Sequence, residues 1–370
     1  MAHARNVFAR ISLILLLLPL SALSSSIEEI ENYAMKNPDW STNMAIIARG
    51  DDILWQGFGN GYGKEDLHFS WSIAKTANAL LLGILEHEGV IHRDDNLGKL
   101  APQLFQIWST LGLDFLETWD PNFHSPRNIT LKNLIEMCSG IAFYEDYGDH
   151  PYESDVIPML YGKGRGAIAG VALGRPLQHA AGTHFYYSTG DTHLSQWALK
   201  QFLPTEYQDI VAKKLLHPLG ITEYRVESDP RGVYLMGSYL SLRARDYLKL
   251  AKLILQDGVW QGKRLLNSDW IKMMQGPSEC YQNTQVTGDQ LRPYGGGLWG
   301  NLNLVQTGSL KNYPALSDST WDMKGRGGQT ILMNQDQNLV ILRFGHNHSG
   351  HRFNMETWVS MITKEFHEKK

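Results

Sequence analysis

Cysteine is nearly missing from this chain: Cys138 and Cys280 are the only two in 370 residues. That excludes a disulfide-dense scaffold. Cys138 falls in an apolar run read as helical, where a buried free thiol is the expected role, and a bridge between the two stays open. Charge is sparse too, at 19% of residues against 43% hydrophobic, a globular balance that excludes wholesale disorder. Long apolar runs are confined to Ile11 to Leu20, preceded by Arg5 and Arg10 and followed by Ser21-Ala22-Leu23-Ser24-Ser25. This is the layout of a secretory signal peptide over residues 1–24, too short to span a bilayer. A secreted or periplasmic protein is therefore expected, with no membrane span in the mature chain. Removing two arginines and no acids takes the formal charge from −4 to −6 (−4 − 2), which argues against nucleic acid as a partner. There is no Gly-x-Ser-x-Gly elbow and no His-Glu-x-x-His helix. Gly295 to Gly300 fits a dinucleotide fingerprint formally, but no strand-to-helix unit surrounds it, and it reads as a loop.

What is present begins with Phe69-Ser70-Trp71-Ser72-Ile73-Ala74-Lys75-Thr76. Ser72 is the one serine in the sequence with a lysine three residues on. On a helix these positions share a face, placing an amine beside a hydroxyl near the helix N-terminus, where developing negative charge is favoured. A serine hydroxyl needs such a base to become a nucleophile, and a desolvated lysine serves. A capping serine beside a solvated lysine is the bland alternative.

Around this segment, Met44 to Arg49 and Ile53 to Phe58 flank Gly50-Asp51-Asp52 and read as a hairpin. Ile73, Ala77, Leu80, Leu81, Ile84 and Leu85 continue a helix from Ser72 to about His87. From Asp94 to Phe202 the pattern is helices joined by polar loops. Lys249 to Leu255 starts another helix, with Asp257-Gly258 as its stop signal. Gln329 to Met333 and Leu339 to Phe344 read as strands, and Met355 to about His367 as a terminal helix. Strands at both ends with helices between predict one sheet assembled from distant segments.

Several ordered segments resemble one family. Ser72-Ile73-Ala74-Lys75 is followed by Glu88-Gly89-Val90-Ile91 and Asp94-Asp95. Then come Ile129 to Gly140, ending in a Ser-Gly turn, and Phe185-Tyr186-Tyr187-Ser188-Thr189-Gly190-Asp191-Thr192. Gly237 to Asp246, Gly258 to Leu266, and Gly325-Arg326-Gly327-Gly328-Gln329 complete the series. Together they resemble the serine hydrolases related to class C β-lactamases. Phe143-Tyr144-Glu145-Asp146-Tyr147 is most similar to the branch of 6-aminohexanoate-dimer hydrolases and related esterases.

The resemblance implies an α+β fold of the β-lactamase/transpeptidase kind: an antiparallel sheet flanked by helices, with an inserted mainly helical subdomain. The sheet domain would comprise residues 25–95 and 205–370, and the insertion residues 96–204. Ser72 is implied as nucleophile, forming an acyl-enzyme on a small amide or ester. Lys75 and Tyr187 would relay its proton, the ammonium of Lys75 bringing the phenol into range and the phenolate keeping Lys75 charged, so that the pair titrates together and neither is singled out as the base. The oxyanion hole would combine the Ser72 N–H with a backbone N–H on the strand starting near Gly327. Tyr147, Thr189, Gly327 and Gly328 are the implied substrate contacts. Where many relatives carry asparagine this chain has Thr189, and no Lys-Thr-Gly is present, leaving Lys324 or Arg326 as nearby charges. No cofactor or metal is expected, and the oligomeric state is not legible. Rival readings are a true β-lactamase or D,D-peptidase, a non-catalytic binder on the same fold, and a metal hydrolase built on His346, His348 and His351.

Overall fold

The computed structural model describes residues 27–110, 125–148, 153–347 and 351–366. The expected signal segment and His348 lie outside them. Two ends of the chain meet in one six-stranded antiparallel sheet. β1 (Trp40–Arg49) and β2 (Asp52–Phe58) come from the front. β8 (Trp299–Gly300), β9 (Thr320–Gly325), β10 (Gln329–Asn334) and β11 (Leu339–Asn347) come from the back. Their spatial order is β2-β1-β11-β10-β9-β8, with Ile46 opposite Leu342 and Ile331 opposite Leu342 across the two central pairings. A smaller sheet joins β3 (Leu67–Phe69), β5 (Leu240–Arg243) and β4 (Tyr224–Val226), and β6 (Val259–Trp260) and β7 (Lys263–Arg264) form a short ribbon.

Both faces of the central strands β1, β10 and β11 are covered, which is why they read as nearly unbroken apolar runs. Met44, Ile46, Ile331, Met333, Val340, Leu342 and Phe344 enter the main core on one face. The alternate residues Ala45, Ile47, Leu332 and Ile341 pack with Trp358, Val359 and Ile362 of the C-terminal helix (Met355–Glu365) on the other.

The helix α1 (Ala74–His87) is buried on every side from Ala74 to Leu85. An all-round buried helix must satisfy its polar residues internally. Thr76 donates to the Gly297 carbonyl at 2.6 Å, and Asn78 accepts from Gln196 at 2.6 Å. Between residues 96 and 204, every regular element among the described residues is helical. These include α2 (Leu131–Ile135) and α3 (Thr189–Phe202). Phe143, Met159 and Leu194 from this stretch share one apolar cluster with Leu80 and Leu81 of α1 and with the sheet residues, and α3 packs against α1. The next long helix, α4 (Ala244–Leu255), starts five residues before the expected Lys249, because Asp246 in its first turn suits the helix N-terminus although the apolar spacing there is weak.

Two findings depart from expectation or add to it. Cys138 and Cys280 are joined in a disulfide across 142 residues, so the buried free thiol expected at Cys138 is corrected. The reason is that α2 ends at Ile135 and Met137 takes a left-handed backbone (φ 59°), leaving Cys138 in a turn beside the short helix Glu279–Gln282. The second finding is a buried ion pair. Arg292 grips Asp322 of β9 with two bonds of 3.1 and 3.0 Å, and the Tyr313 hydroxyl donates to the same carboxylate at 2.6 Å. Asp322 is wholly buried. Asp322→Ala would strand the Arg292 charge, so a loss of about 3–5 kcal/mol in denaturant-induced unfolding is expected. An unchanged unfolding midpoint would refute this account of how the 292–313 segment is fastened to β9.

Candidate active site

β3 delivers the chain to Ser70, and a single 3-10 turn, Trp71–Ile73, leads into α1. Trp71 adopts φ 50°, an uncommon conformation for a bulky residue, immediately before Ser72. Its ring packs edge-on against Phe69 at 5.0 Å, which holds the sharp entry to the helix. Ser72 is thereby presented at the start of α1, at the end of β9. A Cβ at Gly325, the last residue of that strand, would collide with the Ser70 carbonyl and come within 3.1 Å of the Trp71 Cβ. Glycine is required there by close approach.

Lys75 lies one turn on, buried, with its Nζ 2.9 Å from Ser72 Oγ. It also donates to Thr189 Oγ1 and to the Gly237 carbonyl, each at 2.8 Å. Gly237 has its own steric reason: a side chain would meet His193 and Thr189 at 2.8 Å, so only glycine lets that carbonyl reach the amine. Burial pulls the Lys75 amine down to about 8, against an opposing pull from the Glu145 carboxylate. The neutral form is therefore a minority at pH 7 that grows as pH rises through about 8.

The Tyr187 phenol lies near enough to Ser72 for the serine to act on its acidity, and the Lys75 amine sits 5.0 Å from the centre of the Tyr187 ring. The ring stacks on Trp299 at 5.4 Å and meets Tyr294 edge-on at 5.8 Å. Burial, and then Glu145, push this phenol well above its ordinary range. Of the two expected proton relays, the phenol is thus pushed toward its neutral form and the amine toward its own.

Of the remaining expected contacts, Tyr147 is half-buried, with Arg326 stacked 4.4 Å from its ring centre. Arg326 also faces Trp71, at 5.9 Å, so the one cation over these two rings flanks Ser72's entry turn. Thr189 is fully buried, its hydroxyl committed to Lys75 and Glu145, which makes it part of the interior of the site. Gly327 and Gly328 form the β9–β10 turn with φ 79° and 89°. Added Cβ atoms there would meet Gln329, Arg343 and Asn347, so the turn's near neighbours are on β10 and β11 while Gly325 abuts the serine segment. Glu145, Gly237 and Gly325 were legible only as members of longer motifs; their contacts come from chain segments far from Ser72.

Among the described residues no His, Cys, Asp and Glu side chains cluster in a way that could hold a metal. His346 is exposed and His351 pairs with Asp39 at 3.5 Å. Among the described residues, no helix is long and apolar enough to cross a membrane.

The sheet, the buried helix α1 and the Ser72–Lys75 face opposite Tyr187 define the β-lactamase/transpeptidase-like fold. The chain belongs to the beta-lactamase family, whose model matches residues 41–358. It is a hydrolase of that family, related to amidases and esterases. A curated relative, the 6-aminohexanoate-dimer hydrolase of Paenarthrobacter ureafaciens, is 22% identical over 292 residues, 73% of this chain and 69% of that one. Among solved structures, EstCE1, a hydrolase with promiscuous acyltransferase activity, superposes with a TM-score of 0.66 at 13% identity, covering 93% of this chain and 98% of its own. A D-stereospecific amidohydrolase from Streptomyces sp. gives 0.59 at 17%, covering 92% and 98%.

Proposed function

We propose that the protein is an exported serine hydrolase that cleaves a small amide or ester through an acyl-enzyme on Ser72. The observation that carries this reading is the 2.9 Å contact between Ser72 Oγ and an amine whose pKa burial has lowered to about 8. In the reaction, neutral Lys75 takes the Ser72 proton as Oγ bonds to the substrate carbonyl carbon. The Ser72 N–H and a backbone N–H at the end of β9 receive the oxyanion. Collapse breaks the bond to the leaving amine or alcohol, which takes its proton from Tyr187, itself resupplied by Lys75. Water then attacks the ester, giving its proton back through the same pair and freeing Ser72.

The rings of Trp71 and Tyr147 offer an apolar seat, and Arg326 between them suits a substrate carrying an anionic end. That cation also supports a second reading, turnover of β-lactams or D,D-peptides, although no Lys-Thr-Gly accompanies it. The Cys138–Cys280 bridge supports an oxidising compartment, secreted or periplasmic.

The test is intact-protein and peptide mass spectrometry after incubation with a fluorophosphonate and with 4-nitrophenyl esters. One adduct on the peptide containing Ser72, lost in Ser72→Ala, is expected. No adduct in the folded wild type would leave a binder and end the hydrolase reading. Rapid nitrocefin turnover would move the substrate class to β-lactams.

A further inference from the structure

We propose that Glu145 is a positioning residue for the nucleophile's base: acting through Thr189, it holds the Lys75 amine against Ser72 Oγ and biases its charge. This rests on the serine-hydrolase reading above. Thr189 is bound to Glu145 twice, its N–H to Oε2 at 2.6 Å and its hydroxyl to Oε1 at 2.9 Å. A threonine hydroxyl has a single proton. Because that proton goes to the carboxylate, Thr189 Oγ1 can only accept from Lys75, at 2.8 Å. The Gly237 carbonyl, also at 2.8 Å, can only accept as well. A neutral amine has two N–H bonds and one lone pair. With both hydrogens taken by these two acceptors, the lone pair is left for the third neighbour, the Ser72 hydroxyl at 2.9 Å. The orientation a general base needs is therefore imposed by Glu145, which does not itself touch the serine.

Glutamine at this position would break the logic in two ways. Its amide can donate to Thr189 Oγ1, which frees the threonine proton to turn toward Lys75 and occupy the lone pair. It also removes the negative charge that works against desolvation at the amine. The other titratable groups around Glu145 are the phenols of Tyr147, Tyr186, Tyr187 and Tyr294 and the carboxyl of Asp191, which burial lifts to about 7. His193, held near 3 by burial and by Lys75, faces the amine from α3. Glu145 raises Asp191 as well as Lys75, so its loss moves both groups in one direction, toward lower pH.

The experiment is the pH dependence of kcat/KM for a 4-nitrophenyl ester in wild type and Glu145→Gln, with Ser72 labelling by a fluorophosphonate measured in parallel. The wild-type acid limb is expected at about 8. In Glu145→Gln the limb shifts to lower pH and the plateau falls about 10- to 100-fold, the worth of one hydrogen bond to a charged group. A limb that stays in place, whatever the plateau does, overturns the proposal. Should Glu145→Gln fail to fold, Thr189→Val reads the same connection. Loss of the hydroxyl acceptor is expected to lower the limb, and Thr189→Ser to restore it; a valine variant with the wild-type limb is equally fatal. Wild type that is never labelled at Ser72 refutes the serine reading itself, a result distinct from a labelled wild type with an immobile limb.

Discussion

Lys75→Met is expected to lower kcat/KM for ester hydrolysis by about 10²–10⁴-fold, the usual contribution of a positioned general base, and to erase the acid limb of the pH profile. Methionine keeps the length and apolar stem of the side chain inside the buried helix α1 and removes only the amine. In wild type the amine must lose its proton before it can accept that of Ser72, so activity climbs as pH rises through about 8. The same group carries a stability signature of the same sign. Its folded pKa of about 8 lies below the ordinary 10.5. Between those values the unfolded chain holds a proton that the folded one has released, so wild-type stability rises with pH in that window. Below pH 8 the folded protein carries the full cost of a buried ammonium, on the order of 3 kcal/mol by linkage. Relative to Lys75→Met, wild type should therefore gain that amount between pH 8 and 10.5. Equal pH dependence of unfolding in the two proteins would show that the amine is not desolvated, and the base assignment would fall with it. Lys75→Arg is not expected to rescue activity, because a guanidinium does not deprotonate.

What the sequence made legible follows from how each feature is encoded. α1, β10 and β11 are local and strongly apolar, so spacing alone located them to within a few residues. Ser72 and Lys75 are three positions apart on one helix, and their contact is a consequence of helical geometry. Tyr187 was placed by its motif, and its ring centre lies 5.0 Å from the Lys75 amine. Its protonation, however, depends on burial among Trp299, Tyr294 and Glu145, which no spacing encodes. The glycines of the third motif show the same limit. Four glycine or arginine positions in a row carry equal weight as text, yet only the three-dimensional approach of β9 to Ser70 singles out Gly325. Thr189 stood out as a substitute for asparagine. Its actual role in the interior needs a carboxylate 44 residues earlier in the chain.

Replacing both cysteines, Cys138→Ser with Cys280→Ser, should reduce unfolding free energy by about 5 kcal/mol if chain entropy dominates, because the bridge closes a loop of 142 residues. The sulfur atoms belong to an apolar cluster with Met137, Phe185, Tyr281, Tyr294 and Trp299, and Tyr187 packs against it. The bridge thus fastens the turn after α2 to the segment supplying two of the rings that hold the Tyr187 phenol. Loosening it should lower kcat through Tyr187 while leaving Ser72 labelling by a fluorophosphonate intact, since Ser72 and Lys75 are carried by α1. Guanidinium unfolding of oxidised wild type against the double serine variant measures the first effect. Steady-state kinetics with a poor leaving group, which needs the phenol's proton most, measures the second. If the variant matches wild type in both, the shelf under Tyr187 is held by ring packing alone and the bridge is incidental to it.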